Sequence, residues 1–88
     1  MSHVLARISG VKIDALKARL EADAALHAEQ GLTLEHIWHD EDSEEDILFL
    51  FRSTDLDVAR QFIEQTHTEA LQHDADANLP HMTYLIEK

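Results

Sequence analysis

Cysteine is absent from the 88 residues, which removes disulfides, thiolate metal sites and a cysteine nucleophile together. That absence fits a reducing cytoplasm, the expected compartment. Glycine occurs only twice, too seldom to build a phosphate-cradling loop. Basic residues are also scarce: seven Lys and Arg stand against eighteen Asp and Glu, for a net charge of −11. Nucleic-acid binding needs a basic face that displaces counterions, and anionic membranes repel the same charge, so neither is an expected partner. No apolar run approaches the ~20 residues of a membrane span. The longest, Ile47-Leu48-Phe49-Leu50-Phe51, has the length of a strand. The opening Met1-Ser2-His3-Val4 has neither the basic region nor the apolar stretch of a signal peptide, and a soluble, unanchored protein is expected.

What is present is an ordinary globular composition, 44% hydrophobic, which argues against disorder. The length allows one domain spanning 1–88. So small a domain buries only about 60% of its unfolded surface, and association is a ready way to bury more.

Residues 4–8 are apolar and compatible with a strand, closed by Gly10. Residues 14–30, rich in Ala, Leu, Lys and Glu, predict a helix with Asp14 as N-cap and Gly31 as its left-handed end. Leu16, Leu20, Ala24 and His27 fall on its inward stripe. Residues 32–40 read as a strand, with Leu32, Leu34, His36 and Trp38 on one face and Thr33, Glu35, Ile37 and His39 on the other. Six acids and a serine at 40–46 predict a hairpin loop, after which residues 47–52 return as a strand. Ser53-Thr54-Asp55 supplies capping chemistry for a helix over 56–73 with Leu56, Ala59, Ile63, Thr66 and Ala70 inward. Pro80 opens a last strand in which Met82, Tyr84 and Ile86 alternate with Thr83 and Leu85.

The order βαββαβ predicts an α+β, ferredoxin-like domain: a four-stranded antiparallel sheet with both helices on one face. The uncovered face then presents Leu5, Ile37, Leu48, Leu50 and Leu85. Five aliphatics exceed what a monomer usually leaves in water, so the expected partner is a second copy packed face to face.

Several stretches resemble the dimeric α+β barrel superfamily. They are Val11-Lys12-Ile13-Asp14-Ala15-Leu16-Lys17, Gly31-Leu32-Thr33, Trp38-His39-Asp40, Asp55-Leu56-Asp57-Val58-Ala59-Arg60-Gln61-Phe62-Ile63 and Leu79-Pro80-His81-Met82-Thr83-Tyr84-Leu85. The resemblance implies a homodimer closed into an α+β barrel. These are packing and capping motifs, which specify fold better than chemistry. The superfamily includes cofactor-independent monooxygenases, isomerases, heme-handling enzymes and ligand-sensing domains.

Seven histidines offer bases and metal ligands. His36 and His39 point to opposite faces of one strand and cannot share an ion. Glu64-Gln65-Thr66-His67 is half of a di-iron motif without its other half. His67 and His73 read as solvated, and the acidic stretch lacks the glycine and terminal glutamate of a calcium loop. No metal and no cofactor is expected. On the open face Arg7, Glu35 and Arg52 read as rim or cross-interface ion pairs, alongside His39 and His81. The expected ligand site lies between helices and sheet, where His36, Trp38 and Tyr84 join His27, with Asp23 one turn before it. An imidazole beside Trp and Tyr suits a planar organic acid or phenol. The expected function is therefore small-molecule binding by a homodimer. The alternative is a cofactor-independent monooxygenase or isomerase acting on an aromatic or polyketide-like substrate.

Overall fold

The structure, a computed structural model, describes residues 1–88. Four strands form one antiparallel sheet in the order β2-β3-β1-β4: β1 (Ser2–Ser9), β2 (Leu32–Asp40), β3 (Ser43–Ser53) and β4 (His81–Ile86). Helices α1 (Ile13–Ala22) and α2 (Ala24–Glu29) link β1 to β2, and α3 (Leu56–His73) links β3 to β4. This α+β arrangement is consistent with a ferredoxin-like fold. No helix is long and apolar enough to cross a membrane.

The helices cover the face that alternation assigns to the core. Val4, Ala6 and Ile8 of β1 stand opposite Phe51, Phe49 and Ile47 of β3, and all six are buried with Leu32 under Leu20, Ala59 and Ile63. Met82 and Tyr84 extend the same face on β4, whereas Ile86 at the strand end is 64% exposed.

Three local expectations are corrected. The first helix breaks at Asp23, whose backbone (φ −95°, ψ 3°) leaves the helical range between α1 and α2. Asp disfavours helix interiors because its carboxylate competes for backbone donors. Its start also differs: Lys12 is the N-cap, and Asp14 falls in the first turn. The acidic stretch is mostly strand rather than loop. Only Glu41 and Asp42 turn, with the Asp42 amide donating to the Asp40 carboxylate at 2.8 Å, and β3 already begins at Ser43. A strand end that stays in water can carry charges on both faces.

The third correction decides where the site lies. Alternation in β2 is interrupted by a bulge: Leu34 pairs with Phe51, but the next pair is His36 with Leu50, so Glu35 is an extra residue. Beyond it Ile37 stands opposite Phe49 and His39 opposite Ile47, on the helix side, while His36 and Trp38 stand opposite Leu50 and Leu48 on the open side.

Both helix ends next to β2 and β3 are fixed as the sequence indicates. Asp55 caps α3, accepting from the amides of Asp57 and Val58 at 3.0 and 3.3 Å. Gly31 has φ +74°, and a Cβ there would run into the Thr54 hydroxyl oxygen. Position 31 therefore accepts glycine on two counts, backbone conformation and space.

Candidate functional site

The α1–α2 pair lies over β2 and β3 while α3 packs against β1, and the space between them is not filled. A cavity of about 400 Å³ remains, floored by Ile8, Phe49, Phe51 and Met82. Leu16, Leu20 and Leu26 form one wall, and Phe62, Ile63 and Ala70 form the other.

Its polar groups are few and sit on both walls. Arg19, Asp23 and His27 follow one another at intervals of four along α1 and α2, with the Arg19 guanidinium 4.0 Å from the Asp23 carboxylate. Thr66 and His67 face them from α3, and Asn78 closes one end, its amide donating to the Ser9 carbonyl at 2.7 Å. The His27 ring meets Phe51 edge-on at 5.3 Å and Phe62 at 6.2 Å, bridging sheet and α3. Burial holds the His27 imidazole below its ordinary pKa, with the Asp23 carboxylate pulling the other way. Burial alone lowers that of His67. Both rings thus favour the neutral form, which carries one donor and one acceptor nitrogen.

Of the four side chains expected here, His27 alone lines the cavity. His36 and Trp38, moved to the open face by the bulge, stack on each other there with ring centres 5.1 Å apart. Tyr84 is on the helix side but outside the cavity. The Arg60 guanidinium lies 4.1 Å above its ring, and burial raises its phenol pKa against the pull of Arg60, with Glu64 adding to the rise. His67, expected in solvent, is instead a wall residue. The signal for it was present: His67 follows the buried Ile63 by four positions and so shares its stripe. No three His, Asp or Glu side chains converge as a metal ion would require.

The open face carries Leu5, Leu48, Leu50 and Leu85, with Trp38 and His36 in place of Ile37. Trp38 is 46% and Leu85 40% exposed. Charged groups on this face are Arg7 and Arg52 against two carboxylates, Glu35, which His3 meets at 3.3 Å, and Asp46, which accepts from the Ser9 hydroxyl.

Stability should depend on pH through the two cavity imidazoles. An unfolded chain takes up their protons as pH falls through about 6.5, whereas the folded chain does so only at lower pH. Their contribution is complete above that value and is withdrawn as pH drops below it. Urea unfolding of wild type and His27→Gln at about pH 7.5 and about pH 5 reads the effect. The variant is expected to lose less stability between the two; equal losses would remove His27 as a source.

No family model matches the chain, and no curated protein or solved structure matches it either.

Proposed function

We propose that the protein is a homodimer that binds a small organic molecule between its helices and its sheet. The cavity carries the ligand half of this reading. Its volume, about 400 Å³, lies within the roughly 300–1,000 Å³ of small-molecule sites, which are mostly apolar with a few convergent polar groups. The neutral His67 imidazole and the Thr66 hydroxyl on the α3 wall suit a head group that both gives and takes hydrogen bonds, such as a phenol or an enol. The apolar floor suits an aromatic or alicyclic body.

The open face carries the dimer half. Leaving Leu5, Leu48, Leu50, Leu85 and Trp38 in water is costly for a chain in which only 11 of 88 residues are buried. Elsewhere a charge of −11 would drive two copies apart. This face, where Arg7 and Arg52 balance Glu35 and Asp46, is where that repulsion is least. The resemblance to the dimeric α+β barrels points the same way.

Thermal unfolding against a panel of substituted phenols tests the ligand half. A binder present at 100 times its Kd adds about 2.7 kcal/mol, a rise of at least ~10 °C in Tm for a domain of this size. Ala70→Phe, which sends a ring into the cavity, should abolish the shift. A panel with no shift, or a shift that survives Ala70→Phe, ends the cavity reading.

A second reading, cofactor-independent turnover by a monooxygenase or isomerase, is favoured by one observation. An imidazole kept neutral by burial is what a general base must be. A bound compound recovered chemically unchanged would leave binding alone.

A further inference from the structure

A second cavity, of about 250 Å³, lies beneath α1 and α2 on the side of β2, reaching Ala24, Ala28 and Leu34. It and the larger cavity share four lining residues: Leu20, His27, Leu32 and Phe51. Leu20, Leu32 and Phe51 belong to the buried core and are fixed by it. His27 is the exception. It is half-buried, sits on the six-residue α2, and meets Phe51 and Phe62 by their ring edges. The two spaces are thus neighbours with one polar, peripheral side chain standing between them.

We infer that His27 is the partition between the two cavities and sets the length of ligand that the protein accepts. The inference rests on the ligand-binding reading above and adds a specificity-determining residue to it. A ligand whose head is held by Thr66 and His67 on α3 extends towards α2 and ends at the His27 ring. Compact molecules fill the first cavity. A longer chain must displace the ring or leave its end in water. Without the imidazole, the same chain continues beneath α2 onto Ala24, Ala28 and Leu34, where no charged group lies deep in the path. Glu21, the one acid lining the second cavity, is exposed.

The test uses para-alkylphenols from methyl to octyl, titrated by calorimetry into wild type, His27→Ala and His67→Ala. Each buried methylene should tighten binding about fourfold. In wild type the gain should stop abruptly at the length where the chain meets His27. In His27→Ala the break should move outward by several methylenes. His67→Ala should weaken the whole series by a common factor and leave the break in place, because that side chain holds the head and borders only the first cavity. A break at the same length in wild type and His27→Ala would overturn the partition while leaving the cavity as the ligand site. Failure of every phenol to bind any of the three proteins would overturn the ligand reading itself, and the partition with it. Circular dichroism checks that each variant is folded, and His27→Ser replaces the alanine variant if that one is not. Nuclear Overhauser contacts from the terminal methyl of bound octylphenol give an independent readout. Contacts with Leu34 in His27→Ala but not in wild type support the partition; contacts with Leu34 in both refute it.

Discussion

Leu50→Asp is expected to halve the particle. Wild type should sediment at about 20 kDa, twice the 10.0 kDa of one chain, and the variant at the mass of a single chain or as unfolded protein. Leu50 lies in the middle of the open face, with Leu5 of β1 on one side and His36 of β2 on the other. Against a second copy, a carboxylate there loses its water and finds no obligatory partner, a cost of several kcal/mol. It would be met twice, once from each chain. In a lone chain the same carboxylate reaches solvent and changes stability by only about ±0.5 kcal/mol. A wild type that sediments at the mass of one chain would refute the dimer. A Leu50→Asp variant that remains double would move the interface to another surface.

Adjacent residues in β3 give the second large effect. Ile47→Ala should destabilise the protein by about 2–5 kcal/mol, a large part of the ~5–15 kcal/mol that holds a domain together. Ile47 is fully buried against Ile8 and lines neither cavity, so the lost methyl groups leave a void that nothing enlarges or relieves. Leu48 points the other way, onto the open face beside Trp38 and Arg7. In a single chain Leu48→Ala should cost less than about 1 kcal/mol. Covered by a second copy, it should cost ~2 kcal/mol or more, and the loss should grow on dilution. Urea unfolding of both variants at two protein concentrations therefore separates the sheet's two faces. A mild Ile47→Ala would contradict the core, and a mild, concentration-independent Leu48→Ala would contradict the covered face.

Most of the fold was legible because it rests on strong local signals. Asp55 before a helix of 18 residues, alternation in β1 and β3, and Gly31 at a left-handed turn each point to a single structure. The site was less legible, for one reason that can be located. A period of two propagates along a strand only while every residue has a partner. The unpartnered Glu35 exchanges the faces of everything after it, carrying His36 and Trp38 away from His27 and bringing Ile37 in. Nothing in Leu34-Glu35-His36 marks a bulge, since no glycine or proline is there. His67 was missed differently. Its position on the helix stripe was readable, but a histidine near the end of a long helix is so often solvated that the stripe carried too little weight.

The bulge has a further consequence for how copies of this chain can meet. β2 is one edge of the sheet, and an edge strand offers unpaired amides and carbonyls to any extended chain. A straight newcomer could follow the repeat up to Leu34 or from His36 onward, but not through Glu35 without a matching irregularity of its own. At the opposite edge β4 is six residues long and is entered from Pro80, which has no N–H to give. Both edges are therefore poor templates, while the broad apolar face is open. Edge-to-edge addition would leave a fresh edge after every step and grow without limit into fibres. Face-to-face pairing would bury the broad apolar face of each copy and stop at two.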